Sequence, residues 1–179
     1  MPQPSVTFRI SVDPALVPDG DVQRLLDALE NFAPLLEELG DIMSEAQQEN
    51  FASQGTAFGQ PWAALAPSTL GEKARRGFSS EPMVRTGALR DAAGQFIAVD
   101  GGEGGGAVET GFDLNAVPYA QYHQPSALGG SNSGEGRLPT RILVSFSPQE
   151  KEQMLQAVQD YLDQQAGGIS GVSITMEEV

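Results

Sequence analysis

The sequence predicts an α+β fold, with long N-terminal helices and a C-terminal helix packed on a small, mainly antiparallel sheet and joined by long Gly-rich loops. Three observations predict it. Val6, Phe8, Ile10 and Val12 alternate with polar neighbours, the period-two pattern of a half-buried strand. Apolar residues recur at helical spacing over about residues 22–53 and again over 154–162. The 21 glycines and 12 prolines punctuate the chain between these stretches. Residues 1–168 form one expected domain, and 169–179 are a final strand or a tail.

Pro14 and the run "VPDGD" end the first strand, and Asp19 or Asp21 is placed to cap the helix that follows. Pro34 cannot donate a backbone N–H, so it marks the first turn of a second helix, whose stripe runs through Leu35, Leu36, Leu39, Ile42, Met43, Ala46 and Phe51. Gly40 within it costs about 1 kcal/mol relative to alanine. Pro67-Ser68-Thr69 opens a short helix over 68–76, with a capping box from Thr69 to Glu72. "RTGALRDAAG" predicts another, capped by Thr86 and stopped by Gly94. "QFIAVD" and "GAVETGFD" read as a hairpin whose tip is "GGEGG". "PSALGGSNSGEGRLP" reads as a flexible loop, "TRILVSF" as a strand, and Ser147-Pro148 as the start of the last helix.

A net charge of −14 argues against gripping nucleic acid through its phosphates, because that affinity scales with cationic contacts. The charge is uneven. Ten acidic residues face Arg9 and Arg24 in the first fifty, whereas Lys73, Arg75, Arg76, Arg85 and Arg90 outnumber the acids of residues 51–99. A basic middle between acidic ends can pair within one molecule or between copies, or be an ordinary solvated surface. No apolar run is long enough for a membrane span, the N-terminus lacks the pattern of a signal peptide, and there is no cysteine, so no disulfide or thiolate metal site is expected.

Catalytic chemistry is hard to assemble from these residues. His123 is the sole histidine, which excludes two-histidine metal sites, and no nucleophile elbow or phosphate loop is present. Adjacent carboxylates such as Glu37 and Glu38 project to different sides of a helix. Expected catalytic, metal and cofactor residues are therefore none. Three readings of His123 stay open: a ring held by Tyr119 and Tyr122, an interface residue, or a base awaiting partners. Trp62, in "QPWAALAPSTL", reads as an anchor for irregular backbone, since a buried indole offers a large apolar area and one N–H.

Taken in order, these segments resemble the phage virion morphogenesis (tail completion, neck) family. The resemblance covers about residues 20–165. It rests on Phe51 ending a helix, on Gly59, Trp62, Leu65, Ser68 and Thr69, on Thr86-Gly87 with Leu89 and Arg90, on Tyr119-Ala120 with His123 and Gln124, and on Pro139 with Arg141. Pro125, Ile142, the "GGSNSGEG" loop and the C-terminal segment depart from the family pattern. The resemblance implies a non-enzymatic virion protein of the head–tail junction, assembled in the host cytoplasm. It would form a ring of six or twelve copies that finishes the tail or joins it to a filled head. Implied partners are further copies and neighbouring neck, connector or tail proteins, with DNA passing through unbound and no membrane. Phe51, Trp62, Leu65 and Leu89 are the expected structural anchors. Lys73, Arg75, Arg76, Arg90, Tyr119, His123 and Arg141 are the candidate interface residues, with the basic patch after Trp62 held at a fixed place. The competing readings are a tail terminator ring, a small hydrolase using His123, and an acidic DNA mimic.

Overall fold

The computed structural model describes residues 6–12, 23–24, 26–27, 31–100, 106–123, 139, 141–167 and 172–178. The expected caps at Asp19 and Asp21, the "GGEGG" tip, Gln124 and the 126–136 loop lie outside the described residues. The elements are β1 (Val6–Val12), α1 (Ala33–Ala52), α2 (Pro67–Arg75), α3 (Ala88–Asp91), β2 (Phe96–Asp100), β3 (Gly106–Thr110), α4 (Pro148–Ala166) and β4 (Val172–Glu178), with helical residues 23–24 and 26–27 preceding α1. Single 3-10 turns sit at Thr56–Phe58 and Ala120–Tyr122.

The class is α+β, but no single sheet forms among the described residues: β1 pairs with β4, and β2 with β3. The C-terminal segment is a strand, antiparallel to β1 with Phe8 opposite Met176, Ile10 opposite Ile174 and Val12 opposite Val172. The period-two apolar positions of β1 are therefore in register with a matching set on β4. Of the strand expected from "TRILVSF", the described residues 141–146 form none. Its carbonyls at Ile142 and Leu143 are taken by side-chain donors instead of a neighbouring strand.

Packing divides the chain into two compact units. One comprises Pro4–Met43, Phe96–Glu109 and Pro148–Val179. Its buried side chains include Leu35, Leu36, Leu39 and Met43 of α1 and Met154, Ala157, Val158, Tyr161 and Leu162 of α4, both sets at helical spacing. Phe32 lies 6.2 Å from the Tyr161 ring, and the Tyr161 hydroxyl donates to the Asn31 carbonyl. Gly40 is explained here. A Cβ at this position would overlap carbons of the Phe96 ring, so the helix gives up propensity to let an aromatic ring seat directly on its backbone.

The other unit is built on Ser44–Gln95 and Thr110–Ser147. Its core gathers Phe51, Trp62, Leu89, Phe112, Val117, Leu143 and Val144. The rings of Phe51 and Trp62 meet edge to face at 5.0 Å, and Phe112 completes the cluster 6.3 Å from Phe51. Gln54 and Gly55 turn the chain out of α1 with φ of 53° and 91°. The Trp62 ring packs so closely on Gly55 that a Cβ would overlap it. Trp62 then closes the turn through its backbone, donating to the Gln54 carbonyl at 2.8 Å. In the same unit Gln47 and Asn50, both fully buried, reach from α1 to Thr110 and to the Ile142 carbonyl.

Substituting Gly40→Ala tests this packing. Helix propensity alone would favour alanine by about 1 kcal/mol, whereas the overlap with Phe96 is expected to cost about 1–3 kcal/mol. A urea denaturation midpoint below that of the wild type is the expected result; a higher midpoint would contradict the seating of the ring.

Candidate functional site

Beyond Trp62 the chain runs extended to Ala66 and enters α2 with Pro67 at its first position. Proline has no N–H to leave unsatisfied there, so the helix starts without a side-chain cap. Thr69 lies inside the helix, and the capping box expected from Thr69 to Glu72 does not form. Glu72 instead accepts from Arg76 at 3.3 Å and from Arg85 at 3.5 Å. In α3 the helical turn begins after Gly87, and the Thr86 hydroxyl accepts the Ala88 N–H at 3.4 Å.

Lys73 corrects the expectation of an exposed basic patch. Its side chain is buried, and its ammonium donates to the carbonyls of Glu81 and Val84, each at 2.6 Å. Those two bonds hold the chain after α2 folded back on the helix, with Met83 left at φ 60° in the left-handed region that only glycine occupies freely. Burial pushes the Lys73 pKa down, Glu81 opposes this and Arg85 adds to it. Arg75 and Arg76 stay exposed, Arg76 paired with Glu72, and Arg90 pairs with Asp91 at 3.1 Å. The lysine contributes to holding the loop, and the charge on show at α2 is that of the two arginines.

A cavity of about 390 Å³ opens within this unit between α2, the 83–89 segment and the 3-10 turn. Leu65, Val84 and Leu89 give it an aliphatic wall; Glu72, Lys73, Arg85, His123 and Arg141 supply the polar groups, and Tyr119 also lines it. A hollow of about 530 Å³ shares Met83, Arg85, Leu89 and Tyr119 with it, and there the Arg85 guanidinium lies 5.1 Å from the centre of the Phe78 ring. Of the expected anchors, Phe51, Trp62 and Leu89 are buried in the core, while Leu65 is half-buried in the cavity wall.

His123 and Arg141 are tied together through the backbone, the Arg141 N–H donating to the His123 carbonyl at 3.0 Å. The imidazole is hydrogen-bonded to the backbone of Pro139, which can only accept, and its Nδ1 is buried without a partner. Burial first, and then the Arg141 charge, push the His123 pKa below its ordinary value, while the Pro139 bond works the other way. Tyr119 and Tyr122 are exposed, and among the described residues neither hydroxyl, no serine and no carboxylate bonds the ring. Arg141 is 5% exposed and donates from one terminal nitrogen to the Ala63 carbonyl at 2.8 Å. Its Nε is buried without a partner.

The sequence reading missed Gln47 and Asn50, which sit one turn apart on the apolar stripe of α1. The available signal was two polar residues at the spacing of Met43 and Ala46. It also missed the charge partition. The unit holding the cavity contains seven acidic and seven basic residues, whereas the other contains seventeen acidic and three basic, so the whole net charge of −14 belongs to the latter.

The geometry describes a cavity of fixed cations and aliphatic wall on an anchored scaffold. Among the described residues no group of three His, Cys, Asp or Glu side chains is placed to hold a metal ion, and no helix is long and apolar enough to cross a membrane. Comparison with known families matches residues 19–163, most of the chain, to the phage virion morphogenesis family. The chain belongs to that family, and its role is a structural or assembly role in the phage particle. Searches of the curated proteins and of the solved structures return no match.

The desolvated imidazole yields a pH prediction. An unfolded His123 takes up a proton near pH 6.5, while the folded one resists it, so stability falls as pH drops through 6.5 toward the lower folded value. As His123 is the sole histidine, no other side chain with an ordinary pKa titrates between pH 5 and 7. Denaturation midpoints measured from pH 7.5 to 5.5 should decline in the wild type and stay flatter in His123→Phe; equal slopes would contradict the assignment.

Proposed function

We propose that this chain is a ring-forming neck or tail completion protein of the head–tail junction, acting without cofactor or catalysis to finish the tail or join it to a filled head. The family match over residues 19–163 carries the reading. Two physical features of the chain support it. Acidic groups concentrated in one unit would repel the DNA backbone, so a channel lined by them would let DNA pass without holding it. A charge-neutral unit bearing exposed arginines, paired in sequence with a strongly acidic one, suits head-to-tail contacts between copies. Such contacts gain register and approach rate from charge more than affinity, and they close only as rings.

The partners on this reading are six or twelve copies of the chain and the adjoining neck, connector or tail proteins. Arg75, Arg76, Arg90 and Tyr119, all exposed, are the surface candidates for those contacts. Electron cryo-microscopy of intact particles, beside particles made without this chain, tests the proposal. The expected result is ring density at the head–tail junction, with filled heads and tails left unjoined or unfinished in its absence. Density confined to the end of the tail tube, with the junction complete, would replace the neck by a terminator. Normal infectious particles without the chain would end the proposal.

A further inference from the structure

Among the described residues, Arg141 is a buried charge left without a counter-ion. Arg141, 5% exposed, forms part of the cavity wall, yet among the described residues its guanidinium makes one donation, to the Ala63 carbonyl. Its Nε has no partner, and among the described residues no carboxylate comes within ion-pairing distance. The neighbouring cations differ: Lys73 is met by two carbonyls, and Arg85 by Glu72 and the Phe78 ring. An unanswered buried charge is strongly unfavourable, and holding the Ala63 carbonyl would need no more than a neutral amide. A guanidinium with one terminal nitrogen fixed and its Nε closed in leaves its other terminal N–H groups to meet a carboxylate.

The geometry points to an ion pair completed by assembly: an acidic side chain from the Pro4–Met43, Phe96–Glu109 and Pro148–Val179 unit of a second copy enters the cavity and becomes the counter-ion of Arg141. Charge selects that source, because this unit carries the entire excess of acidic residues while the unit holding the cavity is neutral. The aliphatic wall at Leu65, Val84 and Leu89 accommodates the stem of the incoming side chain and excludes water from the pair. The free subunit then bears the cost of the lone charge, and the docked one recovers it, so the pair favours assembly without stabilising the subunit. The inference rests on the ring reading above and adds its contact chemistry.

Sedimentation velocity and thermal melts of the full chain test it, with Arg141→Met and Arg141→Lys beside the wild type. Arg141→Met should fold, melt no lower than the wild type, and self-associate about a hundredfold more weakly. Arg141→Lys should recover part of the association. A photoreactive benzophenone amino acid in place of Tyr119, in a mixture of ¹⁴N and ¹⁵N subunits, should cross-link to peptides of the acidic unit of the other copy. If Arg141→Met does not fold, these cross-links decide. Cross-links confined to Ser44–Gln95 or Thr110–Ser147 of the other copy, or no cross-links between copies, overturn the inference. A wild type that assembles and an Arg141→Met variant that matches it remove this inference alone. A wild type that stays monomeric at the highest attainable concentration, alone and with particle extracts, removes the ring reading as well.

Discussion

Two side-chain N–H groups converge on one carbonyl, that of Ile142. The amide of Asn50, from the last turn of α1, and the indole of Trp62, from the extended segment after it, each reach it at 3.0 Å. The end of α1, the segment that follows it and a stretch 80 residues beyond Trp62 are thereby fixed at one point within a cluster of Phe51, Phe112, Leu143 and Val144. A backbone carbonyl in such surroundings must find donors or destabilise the fold by a kilocalorie or more. Here donors for the Ile142 and Leu143 carbonyls come from side chains, and residues 141–146 join no ladder. The position of Arg141 follows, since it immediately precedes the clamped residue and reaches Ala63, the residue after Trp62.

Much of the fold was legible because periodicity reports burial. Period two gave β1 away, helical spacing identified α1 and α4, and Pro148 after Ser147 marked the start of α4. The failures share a cause. "TRILVSF" has the composition of a strand, but whether it joins a ladder depends on donors ninety residues away at Asn50, which no local pattern contains. Gly40 read as a propensity loss because nothing near it in sequence announces Phe96. Thr69 and Glu72 have capping-box spacing, yet Pro67 had already begun the helix and two arginines had claimed the carboxylate.

The candidate site was legible in part. Trp62 could be singled out as an anchor from its prolines and its large ring, and His123 and Arg141 from the family resemblance. Lys73, Arg75 and Arg76 looked equivalent, being near neighbours of similar charge. Helical geometry separates them by turning Lys73 inward to two carbonyls and leaving the arginines in solvent. The lone state of the Arg141 charge and the confinement of the net charge to one unit are properties of packing. On the ring reading proposed above, a particle component needs surfaces that are complete only in company, and a buried cation unpaired among the described residues of a neutral unit, with the surplus of acid carried by the other unit of the sequence, would be such an incompleteness.

The clamp on Ile142 can be observed directly, because the single tryptophan supplies a single indole N–H resonance. Its hydrogen exchange with solvent, followed by NMR under native conditions, measures how often the bond to the Ile142 carbonyl opens. The account predicts exchange as slow as that of the most protected backbone amides, so that the indole is released only when the whole unit unfolds. Exchange at the rate of an exposed indole would show that Trp62 does not hold the 141–144 segment, and the placement of the cavity and of Arg141 would lose its foundation.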